Sequence, residues 1–292
     1  MHKKRKENRA FNIINTTLLI IFALIIVVPI WNIVVSSLSA SAGTGSSGLV
    51  LIPKDFTFEN YKKVLTDESI PRALLISVLK TVIGAFTHVI FCAVFAYALS
   101  KQKLAGRSIY TMMGVITMYF SGGMIPTYLL IKSLGLLDTF WVYIIPALFS
   151  YYDVVILMNF FRDIPPSLEE SAKIDGASEF TIFRKIYVPL SKPALATILL
   201  FNGVAQWNDF MTTKLYVTNE KLYPLQMKIY EIIVQSNMNA MSNSGSTDAI
   251  IESSTKGVQL ATIVITTIPI LIIYPLLQKH FMGGMMAGAV KE

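Results

Sequence analysis

The chain has 292 residues, 53% of them hydrophobic and 15% charged, with a formal net charge of +7. A soluble domain is about a quarter charged, so a chain this apolar, with several runs of about 20 apolar residues, reads as a polytopic helical membrane protein. The single cysteine, Cys92, excludes an internal disulfide and a thiol cluster for a metal.

The expected architecture is all-α, one membrane domain over residues 1–292, with six transmembrane helices near 14–36, 74–100, 109–131, 139–161, 193–213 and 259–279. The first span follows a basic start, KKRKENR, and precedes Ala40-Ser41-Ala42, which resembles a signal-peptidase site. A leader's apolar region is about 7–15 residues long. The run from Ile14 to Val35 is longer, so an anchoring span is expected rather than a cleaved leader.

Placing the N-terminus in the cytoplasm puts fifteen of the 25 lysines and arginines on the inside and nine outside, with Lys80 in a span. That bias obeys the positive-inside rule and makes both the 1–13 segment and the 280–292 tail cytoplasmic. The positive charge is then topology and attraction to anionic lipid, with no need for nucleic acid.

Outside, 37–49 is small and flexible in composition, and FTFENYKKVL predicts a short surface helix before the second span. LYPLQMKIYEII has helical apolar spacing suited to the interface. The polar stretch 236–249 reads as a loop.

Between the fourth and fifth spans lies a charged segment, 163–192, with Glu169, Glu170, Lys173, Asp175, Glu179, Arg184 and Lys185. At about 2.5–3.5 kcal/mol each at a helix centre, those seven charges keep it out of lipid. Ser167 with Glu170 makes an S-x-x-E capping box, and Gly176 suits a helix end. Ser178 can cap a second helix that Pro189 stops. The product is a helix, a glycine bend and a helix: either a rigid docking knob or an amphipathic connector.

EESAKIDGASEFTIFRKIYVPLSKP resembles the EAA loop of the membrane subunits of binding-protein-dependent ABC importers. The family's Glu-Ala-Ala, glycine, isoleucine and Leu-Pro positions read here as Glu170-Ser171-Ala172, Gly176, Ile186 and Val188-Pro189, departing at Ser171 and Val188. VPLSKP, QWNDF and the tail GGMMAGAVKE resemble the carbohydrate-uptake branch, including maltose-type permeases. YFSGGMIPTYLLIKSLGLLDT is most similar to the subfamily handling complex oligosaccharides or polysaccharide fragments.

This resemblance implies a type I ABC importer permease fold and ATP-driven sugar import across a bacterial cell membrane by alternating access. It implies a second related permease, two cytoplasmic ATPase subunits and an extracellular solute-binding protein. The chain itself would be no enzyme and bind no cofactor, since ATP and magnesium sit on the ATPase partners. The resemblance assigns ATPase coupling to Glu169, Glu170, Ser171, Ala172, Asp175, Gly176, Ile186 and Pro189. Glu170 becomes the anchor in the ATPase cleft, Ala172 the point of close approach and Gly176 the bend. The tail around Gly288 to Lys291 is a further contact.

Polar groups in a span face protein or water. The fifth span holds Asn202, Gln206, Trp207, Asn208 and Asp209, with Asn202, Gln206 and Asp209 on one helical face. They could line a sugar pathway or serve as glue between helices. Tyr119, Tyr151 and Tyr152 read as interface anchors. His88 reads as a buried hydrogen-bonded residue without an evident acidic partner, and Lys80 as a lysine that snorkels.

FSGGM, at 120–124, lies in an apolar span and no G-x-x-x-x-G-K-[ST] occurs, so Gly122 and Gly123 suit close packing or a bend rather than ATP. A permease for a non-sugar solute is the nearest rival reading. An ATP-independent transporter would show coupling carboxylates in its spans, where only Asp209 is evident. An intramembrane enzyme would show H-E-x-x-H or paired aspartates, which are absent.

Overall fold

The computed structural model describes residues 9–40, 49–242, 256–269 and 271–272. They are helical, with one isolated bridge between Ser39 and Phe56. The chain's contacts fall into two bodies, residues 1–68 with 231–267, and 69–230 with 268–292.

In the first body, α1 (Arg9–Ser37) is apolar all round, and its side chains from Phe11 to Val27 are exposed. A helix with no polar face and no protein cover is suited to lipid. The expected surface helix forms as α2 (Glu59–Thr66). Its buried Asn60 donates to the carbonyls of Ser37 at 3.0 Å and Ser39 at 3.2 Å, closing the turn after α1. Gly257, in the helix 256–269, approaches so closely that a Cβ there would lie 2.6 Å from Asn60 Nδ2.

The second body is built on α3 (Ser69–Ser100), a straight apolar helix of 32 residues. Then come α4 (Arg107–Tyr119) and α5 (Met124–Ser133), bent by 117°. Gly123 makes that bend at φ 89° and ψ 171°, a region open essentially to glycine alone. Two short 3₁₀ turns (Phe140–Tyr143 and Ile145–Ala147) lead at 50° into α6 (Tyr151–Arg162). After α7 (Pro166–Ile174), α8 (Glu179–Ile182) runs through a π turn (Phe183–Tyr187) into α9 (Val188–Leu190). A 79° bend then starts α10 (Lys192–Asn208). The short α11 (Met211–Tyr216) follows, and then α12 (Leu225–Ser242), of which only the part up to Tyr230 belongs to this body.

The core forms where α3 meets α6 and α10. Cys92, Ala93 and Ala96 on α3 pack with Val154, Leu157 and Phe161 on α6 and Ile198 on α10. Small residues on α3 let the other helices approach closely, as in membrane helix packing generally.

Several expectations change. Among the described residues, two helices are long and apolar enough to cross a membrane, or up to five counting each bent pair as one span, so the count of six is not confirmed. The expected sixth span, 259–279, lies partly outside the described residues, and the 1–8 start and the 280–292 tail lie wholly outside them. The polar stretch expected to loop from residue 236 remains helical to Ser242. Tyr151 is buried within the core and is no interface anchor, whereas Tyr119 and Tyr152 are exposed.

Candidate functional site

The charged loop folds as a helix, a glycine bend and a helix. Pro165 takes the N-cap position of α7 and Pro166 the first turn, where a missing N–H costs nothing. Ser167 therefore lies inside the helix and makes no cap bond, which corrects the expected capping box. Gly176 closes α7 at φ 79°. The N–H of Ala177 reaches back to the Ala172 carbonyl at 2.9 Å and that of Gly176 to Lys173 at 3.1 Å, a Schellman closure. Ser178 caps α8, accepting from the Thr181 N–H at 3.3 Å. Pro189 does not stop the helix. The turn before it widens to the π form, which accommodates a residue with no N–H, and the chain stays helical to Leu190.

The two adjacent glutamates separate. Glu169 turns inward: its Oε2 accepts from Lys101 Nζ at 2.5 Å and Tyr187 Oη at 2.6 Å, and its Oε1 from Lys173 Nζ at 2.8 Å. Lys101 also lies over the rings of Tyr97 and Tyr187. Lys173 and Tyr97 both bind Glu179, at the start of α8. Partial burial opposes the charge on Glu169, but the bonds from Lys101, Lys173 and Tyr187 outweigh it and bring the carboxyl down to about 2. Bonding to Glu169 and Glu179 raises Lys173 above its ordinary range.

Glu170 points outward, exposed beside Ser171 and Asp175. Ile174, at 86% exposure, and Phe180, at 69%, add apolar surface to this outer side. Ala172 and Ile186 are half-buried and pack against the chain's own core. None of Lys101, Tyr97 and Tyr187 stood out in the sequence as part of this network. Lys101, the first residue after the second span, carried the available signal.

A cavity of about 360 Å³ opens in the same body, its mainly apolar wall (Ile131, Val142, Pro146 and others) carrying the polar groups of Thr127, Asn202, Gln206 and Asp209. Asn202 and Gln206 reach it from one face of α10, as the helical spacing predicted, whereas Asp209 lies just past the helix in extended backbone and reaches it from there. Gln206 Nε2 donates to the Tyr143 carbonyl at 3.2 Å. The Asn202 side-chain carbonyl is buried and has no hydrogen-bond partner among the described residues. Trp207 is buried away from the cavity wall, and exposed Asn208 bonds to Val204 and Gln226.

Lys80 does not snorkel. Its ammonium is fully buried and donates to the Asp209 carbonyl at 2.8 Å and to Oδ2 at 3.0 Å, near the Tyr143 ring. Asp209 Oδ1 in turn caps α11 by accepting from the Thr212 N–H. His88 does have an acidic partner. Nε2 lies 2.9 Å from Asp153 Oδ2 and Nδ1 lies 2.7 Å from the Ala147 carbonyl. Asp153, in the expected fourth span, is thus a second carboxylate beside Asp209, and it is spent on a clamp between α3 and α6.

The family described as "Binding-protein-dependent transport system inner membrane component" matches residues 1–286. The chain is 42% identical to the "Polygalacturonan/rhamnogalacturonan transport system permease protein YtcP" of Bacillus subtilis (strain 168), covering 98% of this chain and 99% of that one. It is 40% identical to "Protein LplC" of the same organism, over 98% and 96%. The fold also matches a chain in the crystal structure of a bacterial ABC transporter involved in the import of the acidic polysaccharide alginate. That match has a TM-score of 0.83 and 34% identity, covering 96% of this chain and all of that one.

Proposed function

The chain belongs to the binding-protein-dependent transport system inner membrane component family, and on that premise we propose that it is the permease subunit of an ABC importer for oligosaccharides cut from an acidic polysaccharide. The observation that carries this reading is end-to-end similarity to a permease named for polygalacturonan and rhamnogalacturonan transport. Similarity to a chain from an alginate importer supports the same substrate class.

In this reading the permease sits in a bacterial cell membrane with both termini in the cytoplasm. It pairs with a second, related permease above two ATPase subunits, and an extracellular binding protein delivers the sugar. ATP and magnesium stay on the ATPase partners. The outer side of α7, with Glu170 and Ile174, docks on an ATPase subunit, and the 280–292 tail adds contacts.

A force on α7 has a defined path inward. Glu169 ties α7 to Lys101 at the end of α3 and to Tyr187 in the π turn. α3 packs along α10, and Lys80 ties it to Asp209 at the cavity wall. Docking motion at α7 would thereby reach the wall made by Asn202, Gln206 and Asp209. These groups suit sugar hydroxyls, which both donate and accept hydrogen bonds.

The test is uptake. Deleting the gene from the native host is expected to abolish entry of labelled oligogalacturonate while maltotriose uptake continues, and the wild-type gene restores it. Undiminished oligogalacturonate entry in the deletion strain, with its other sugar importers inactivated, would refute the substrate assignment.

A further inference from the structure

A second cavity, of about 420 Å³, lies among α3, α4 and α6 and shares no lining residue with the first. Phe95, Leu99, Leu104, Met113 and Phe149 line it, and Tyr151 closes one wall. Tyr151 fits there because Gly114 bears no side chain; a Cβ at Gly114 would lie 2.1 Å from the ring. The Tyr151 hydroxyl is buried and has no hydrogen-bond partner among the described residues.

Two cations lie beside this apolar space. Arg107 Nε donates to the carbonyl of the lining residue Leu99 at 2.9 Å. Arg162 interacts electrostatically with both Arg107 and the Tyr151 phenol, and its guanidinium contacts Met158 Sδ. Among the described residues, neither arginine forms an ion pair with a carboxylate. Both lie at the end of the bundle that carries the coupling loop, since Arg162 ends α6 just before α7 and Arg107 begins α4 just after Lys101.

Two neighbouring cations with no counter-charge among the described residues, beside an apolar cavity, together describe a receptor for an anionic amphiphile. We propose that this cavity takes an acyl chain of an anionic phospholipid, with its phosphate held by Arg107 and Arg162. Basic pockets between transmembrane helices hold anionic headgroups in this way, and the guanidinium fork matches phosphate oxygens. A sugar would find few partners on these walls, and an apolar partner helix would leave both arginines uncompensated.

Native mass spectrometry of the full chain, extracted from its membrane and titrated with phosphatidylglycerol or phosphatidylcholine, tests this. Wild type should hold phosphatidylglycerol in preference to phosphatidylcholine. Arg107→Gln with Arg162→Gln should weaken phosphatidylglycerol roughly 30-fold, from about 1 kcal/mol per interfacial cation. Ala98→Phe, which fills the cavity from its exposed edge, should weaken both lipids while the gel-filtration profile stays unchanged. Equal affinity of wild type for the two lipids, or wild-type phosphatidylglycerol binding by either variant, would overturn the site. So would a photocrosslinker at Met113 that captures a polypeptide instead of lipid.

Discussion

Lys80 Nζ donates to both the backbone carbonyl and the carboxylate of Asp209, joining the middle of α3 to the end of α10 across 129 positions of sequence. Lys80 is fully buried, while the Asp209 side chain is 28% exposed on the cavity side. Breaking a buried pair from one side costs about 3–5 kcal/mol. Partial exposure of Asp209 places Lys80→Met near the lower end of that range. Thermal unfolding in detergent should show a large loss for Lys80→Met and a smaller one for Lys80→Met with Asp209→Asn. Strictly additive losses would contradict the coupling.

The Glu169 network makes α7 docking sensitive to acid. A carboxyl brought from an ordinary 4.5 to about 2 adds stability that is complete above about 4.5 and is lost as pH falls toward about 2. Hydrogen exchange over 166–174, corrected for intrinsic rates, should show protection declining through that window. Glu169→Gln should be less protected at neutral pH and flat across the window.

Neighbouring glycines at the α4–α5 bend should respond differently. Gly123→Ala forces a side chain into a glycine-only region and is expected to cost about 1–3 kcal/mol. Gly122→Ala meets Pro126 Cβ at an ordinary 3.8 Å and should be nearly neutral. Melting temperatures of the two purified variants check the difference.

The cavity wall offers a separation of transport from stability. The Asn202 side-chain carbonyl has no partner among the described residues, so Asn202→Ala should change stability by less than about 0.5 kcal/mol while lowering oligogalacturonate uptake. Gln206→Ala also loses the bond to the Tyr143 carbonyl and should cost about 1 kcal/mol. Unchanged uptake in Asn202→Ala would remove Asn202 from the pathway.

What could be read before folding was local. The bend at Gly176 and the cap at Ser178 depend on residues within five positions, and both stand. The pairing of Asn202 with Gln206 follows from helical period alone and reaches the cavity, whereas Asp209 reaches it from extended backbone past the helix end. Ser167 misled because a serine three before a glutamate satisfies the capping pattern, while two preceding prolines start the helix earlier. Lys80 and His88 were read without partners because Asp209 and Asp153 lie 129 and 65 positions away. Hydropathy marked where apolar segments lie but not their bends, which fall at Gly123, near Ser150 and at Ser191. The inward turn of Glu169 and outward turn of Glu170 needed the packing of α7 against α3, which no pattern in the loop encodes.

The most direct test of the coupling role is affinity purification of the tagged chain from its native host in mild detergent, with mass spectrometry of what accompanies it. Wild type should bring down a second permease and an ABC ATPase. Glu170→Arg, which alters an exposed side chain, should lose the ATPase while keeping the second permease and its own melting temperature. Full retention of the ATPase by Glu170→Arg would contradict the assignment of the outer side of α7 as the docking surface, and a wild-type chain purifying alone would contradict the importer assembly itself.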